Sequence, residues 1–83
     1  MDEIFLLTFY HDFYGERETE NYVHKSESGA QKHLQELKDY SINHLEITND
    51  DKGFEENSEN AVFYYGRTGS TFEINIENKT ILE

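Results

Sequence analysis

The sequence predicts one small α+β domain, an antiparallel sheet of four or five strands with a single helix packed on one face. Three observations carry this. Ala30, Leu34 and Leu37, with Tyr40 three residues further on, recur at helical spacing, which places them on one stripe of an α-helix. Phe72, Ile74 and Ile76 alternate strictly with Glu73, Asn75 and Glu77, the mark of a half-buried strand with one wet face. Ile4–Tyr10 is apolar on both alternating faces, as in a strand covered twice. With 83 residues the chain is one domain over 1–83, and the expected order is β-β-α-(β)-β-β.

The elements follow in order. Glu3–Tyr10 is the first strand, with Ile4, Leu6 and Tyr10 on one side and Phe5, Leu7 and Phe9 on the other. One helix covers one side, so a second copy of the chain is the simplest cover for the other. His11–Glu18 reads as a polar turn around Gly15, with Phe13 and Tyr14 at its tip. Thr19–Lys25 returns as the second strand, with Tyr22 and Val23 as core candidates. Ser26–Tyr40 is the helix, with Ser26 preferred over Ser28 as cap because it puts Glu27 in the positive first turn. Ser41 and Asn43 are the expected exit residues. Ser41–Thr48 reads as a short strand or extended segment with Leu45 and Ile47 inward, and Asn49–Asn60 as a mobile polar loop. Ala61–Arg67 and Ser70–Asn78 form a hairpin around Thr68–Gly69. Asn78–Lys79 then turns into a short edge strand at Thr80–Leu82.

Composition narrows the function. Eighteen acidic against seven basic residues give a net charge of −11. Such a charge argues against binding nucleic acid or an anionic membrane and is compatible with a basic protein partner, the plainer reading being that it keeps a small domain soluble and monomeric. Zero Cys removes disulfides and thiolate metal sites and agrees with a reducing compartment. Six Phe and six Tyr supply the core, with hydroxyls at its rim. Asp2 and Glu3 give no positive leader, and Ile4–Tyr10 is too short to span a membrane. A cytoplasmic location is expected.

Chemistry-bearing patterns are sparse. An EF-hand frame with Gly53 sixth puts Asp50 third and Glu59 twelfth, but Thr48 first and Lys52 fifth. The first and fifth positions demand oxygen ligands that these residues do not supply as the loop requires, so the stretch reads as a solvated loop. His11, His24, His33 and His44 share no i, i+4 pair and have no Cys neighbour. They read as residues of exposed faces, His33 half-buried beside the apolar stripe, with no metal and no cofactor implied. Gly66–Ser70 resembles a phosphate loop only until it leads into a strand. There is no Gly-x-Ser-x-Gly elbow, and the expectation is a protein that is not an enzyme.

The charge pattern remains. Glu46, Asp50, Asp51, Glu55, Glu56 and Glu59 face one base, Lys52. Asp12, Glu16, Glu18 and Glu20 add a second acidic sector against Arg17. Carboxylates spread over a surface imitate a phosphate backbone to a Lys/Arg-lined groove. Tyr64 and Tyr65, with Phe13 and Tyr14, offer aromatic anchors.

A very small, Cys-free, acidic α+β chain with Tyr among its acids and an Asn/Asp/Glu-rich 49–60 stretch resembles phage-encoded inhibitor proteins of the anti-CRISPR and DNA-mimic kind. Ile4–Tyr10, Tyr14-Gly15 and the Ser-capped helix over Ser26–Leu37 are also similar to small bacterial and phage α+β proteins. The resemblance implies an inhibitor that docks on a nuclease or another nucleic-acid-binding protein. It rests on overall features and transfers no residue role. The alternative is a small self-associating accessory domain with an apolar interface, a homodimer in its simplest form.

Overall fold

The computed structural model describes residues 2–47, 54–58, 60–66 and 69–81, and for Asp2 and 54–58 the backbone alone. The elements are β1 (Asp2–Phe13), β2 (Glu16–His24), α1 (Glu27–His44), β3 (Phe54–Ser58), β4 (Ala61–Tyr65) and β5 (Thr71–Ile81). All strand pairs are antiparallel, in the spatial order β2-β1-β5-β4-β3. Four strands make the body of the sheet, and the five residues of β3 extend one edge.

Register sets the core. Leu7 lies opposite Tyr22 and Ile76, Phe9 opposite Glu20 and Ile74, and His11 opposite Glu18 and Phe72. Across the next pair, Val62 meets Ile74 and Tyr64 meets Phe72. Strand side chains alternate faces, so these residues share the side on which α1 lies. Leu7, Phe9, Phe13, Leu34, Val62, Tyr64, Phe72 and Ile74 form the buried cluster. Each large apolar side chain removed from water contributes roughly 1.5–3 kcal/mol. The alternation expected of Phe72, Ile74 and Ile76 is observed. Thr19–Lys25 is half as foreseen: Tyr22 packs on the core, whereas Val23 points to the opposite face and is exposed. Neighbours in a strand cannot both face inward.

Ser26 caps α1, its hydroxyl accepting from the Gly29 N–H at 3.1 Å. The helix then runs past Ser41 to His44, so the strand expected over Ser41–Thr48 is instead, as far as Ile47, the last helical turn and its cap, and Thr48 lies outside the described residues. The Ile47 N–H bonds to the Ile42 carbonyl and the Glu46 N–H to that of Asn43, the paired bonds of a Schellman motif. Glu46 takes the left-handed position that glycine usually fills, at φ 52°. Ile42 and Ile47 both pack against the core, the apolar contact that accompanies this cap.

Three other expectations change. The turn after β1 is two residues long, Tyr14 and Gly15, both at positive φ (56° and 91°), which matches the twist of flanking strands. The strands therefore extend to Phe13 and Glu16. Asn49–Asn60, expected as a loop, contains β3, whose Phe54, Glu55 and Glu56 pair with Tyr64, Phe63 and Val62. Asn78–Lys79 makes no turn, because both residues lie in β5, opposite Phe5 and Ile4.

Candidate functional site

The acidic sector at Glu46–Glu59 is only partly placed. Glu46 is exposed and serves the helix cap. Asp50, Asp51 and Glu59 lie outside the described residues, as do the side chains of Glu55 and Glu56. The aromatic pair expected beside them divides across β4. Tyr64 is 6% exposed and stacks on Phe72 at 5.5 Å between centroids, so it is a core residue and not an anchor. Tyr65 is 60% exposed, on the opposite face, edge-on to Phe63 at 4.2 Å.

The second acidic sector is assembled on the edge strand β2. Glu16, Glu18 and Glu20 occupy alternate positions opposite Phe13, His11 and Phe9, so they file along the helix side at about 7 Å intervals. Arg17 between them belongs to the other face and donates to Asp12 at 3.2 Å. Glu20 and Glu18 instead flank His11, with carboxylate oxygens 3.5 and 3.9 Å from its Nε2. The His11 ring is sandwiched between Phe9 and Phe13, at 4.6 and 4.7 Å. Its Nδ1 is buried and has no hydrogen-bond partner among the described residues. A proton there would be a buried unpaired donor costing about 1–3 kcal/mol, so the tautomer that fits carries its proton on Nε2, facing the carboxylates. Burial first, then the charge of Glu20 and a hydrogen bond to it, raise the Tyr22 phenol above its ordinary value.

Phe9, His11, Glu18, Glu20, Leu37 and Tyr40 line an open cleft of about 350 Å³ between β2 and α1. Tyr40, 54% exposed, stands at its rim and stacks on His44 at 5.6 Å. Tyr14, 66% exposed, approaches His44 from the hairpin tip at 6.1 Å, and Phe13 packs below at 4.8 Å. The Tyr14 N–H donates to the Ser70 hydroxyl, which ties that tip to the β4–β5 turn. Carboxylates and exposed rings thus meet on one side of the molecule. Of the two loop-tip rings noted in the sequence, Phe13 folds into the core and Tyr14 stays outside.

The histidines converge more than their spacing shows. His11 is the closed-in residue just described. His24, the last residue of β2, meets His33 of α1 with Nε2 and Nδ1 2.7 Å apart. Only folding brings these two together, nine residues apart on different elements. Among the described residues, no group of three or more His, Cys, Asp or Glu side chains gathers as a metal centre, and no helix is long and apolar enough to cross a membrane. Comparison with protein-family models, curated proteins and solved structures finds no match for the chain.

Proposed function

We propose that this chain is a non-enzymatic binding protein whose acidic surface docks on a basic protein, most simply one that handles nucleic acid. The observation that carries the reading is the file of Glu16, Glu18 and Glu20 on the edge strand beside the exposed rings of Tyr14 and Tyr40. Negative charge attracts a Lys/Arg-lined groove and speeds encounter, while rings that bury on contact supply most of the affinity. The 46–59 acids extend the same principle, with Tyr65 as the exposed member of their aromatic pair.

The test is capture of partners from lysate by the immobilised chain. The expected partner binds nucleic acid itself, and this chain and nucleic acid displace each other from it. Its capture falls steeply between about 50 and 200 mM salt, as counterion release requires. Glu18→Lys with Glu20→Lys should abolish capture if β2 is the contact. Reversal at Asp50, Asp51, Glu55 and Glu56 should do so if the second sector is. Capture indifferent to salt and to both sets of reversals would sink the proposal.

A second reading, self-association, has its own support. Ile4 and Leu6 lie on the sheet face away from α1, beside the exposed Val23.

A further inference from the structure

We propose that His24 and His33 form a two-imidazole site for a divalent transition-metal ion of the zinc class, tying the end of β2 to the second turn of α1. This goes beyond the proposed docking role and does not depend on it. The two rings come from separate elements and aim ring nitrogens at each other, Nε2 of His24 to Nδ1 of His33, at 2.7 Å. At that distance they share one proton, since a hydrogen bond between imidazoles needs one donor and one acceptor.

A metal ion can take the proton's place once the rings part and tilt. An ion about 2.0–2.1 Å from each nitrogen in tetrahedral geometry needs the two nitrogens about 3.3–3.4 Å apart, with both lone pairs aimed at one point. They stand 2.7 Å apart and face each other, so binding requires them to separate by roughly 0.6–0.7 Å. Tyr22 packs edge-on to His33 at 4.4 Å and steadies that ring. Glu36 stands one helical turn beyond His33. Among the described residues no three such groups converge, so a further ligand such as water or a partner's side chain would complete the coordination. Imidazole nitrogen selects borderline ions such as Zn²⁺, whereas Mg²⁺ and Ca²⁺ seek oxygen. That difference separates the site from diffuse attraction of cations to an acidic surface.

The experiment is titration of the full, metal-stripped chain with ZnCl₂, followed by calorimetry and by the ring ¹⁵N signals of all four histidines, with MgCl₂ in parallel. The expected result is one saturable Zn²⁺ site that moves the His24 and His33 ring signals. Mg²⁺ should leave those signals in place. His24→Gln and His33→Gln should each weaken binding by more than about tenfold, since loss of an outer-shell partner alone typically costs that much. Should a variant fail to fold, the ring signals of the unmodified chain decide alone. No saturation below about 1 mM Zn²⁺, changes centred on His11, His44 or the carboxylates, or unaltered binding in a folded variant would each overturn the proposal.

Discussion

Ser41 shows how much a single residue can hide. It sits on the buried stripe after Ala30, Leu34 and Leu37, is fully buried, and its hydroxyl has no hydrogen-bond partner among the described residues. Spacing alone continues the stripe through Tyr40, but Tyr40 is exposed and the serine beside it takes the buried position. A buried unpaired hydroxyl costs about 1–3 kcal/mol, and alanine also favours helix. Ser41→Ala should therefore stabilise the fold by roughly 1 kcal/mol, read as a higher urea midpoint with an unchanged slope. His33 makes a second residue-scale case. Burial, then the neighbouring His24, lower its pKa below 6.5, with Glu36 opposing. The folded chain thus resists a proton that the unfolded chain accepts. The stability tied to this group is complete above 6.5 and is lost as pH falls through the lowered folded value. In metal-free protein, the urea midpoint of the unmodified chain should drop more between about pH 7 and pH 5.5 than that of His33→Gln. Equal slopes would refute this.

At the scale of elements, α1 illustrates how a cap decides a boundary. The sequence over 41–48 carries Leu45 and Ile47 two apart, a strand-like signal. The chain instead closes a Schellman cap in which Glu46 adopts the left-handed conformation. That conformation costs a non-glycine residue about 1 kcal/mol, and a carboxylate sits poorly at a helix C-terminus. Glu46→Gly should raise the thermal midpoint by a few degrees; a lowered midpoint would show that Glu46 contributes more than its backbone. The β4–β5 turn is constrained differently. A Cβ on Gly66 would lie 2.7 Å from the Ser70 carbonyl oxygen, within the pair that Gly66 N–H and Ser70 O already form. Gly66→Ala should destabilise by about 1–3 kcal/mol, because backbone must shift. The Gly15 marker shows a loop, but its two-residue length does not show, because the polar residues around it belong to the edge strand β2 and to the end of β1.

The whole molecule is set by one long-range pairing. β1 and β5 run antiparallel through the middle of the sheet, from Asp2 opposite Ile81 to Asp12 opposite Thr71. That pairing puts Ile4 and Leu6 on the side that α1 does not cover, as the doubly apolar first strand foretold. If this face is an interface, Leu6→Lys should shift a sedimenting dimer to monomer, with little response to salt. A monomer at all concentrations would leave the acidic docking surface as the surviving reading.

The amino-acid order by itself determined the properties that repeat along a segment: the capped helix with Ala30, Leu34 and Leu37 inward, the alternating strand through Phe72 and Ile76, and the net negative charge. Helical and strand periods are fixed by backbone geometry within a few residues, so composition and spacing suffice to read them. Only the tertiary structure decided that Tyr64 rather than Tyr65 is buried, that Arg17 turns to Asp12 and leaves Glu18 and Glu20 around His11, and that His24 meets His33. A period of two says that neighbours oppose each other but not which one faces in. Convergence of side chains from different elements depends on register and packing between segments remote in sequence, and no local pattern encodes it.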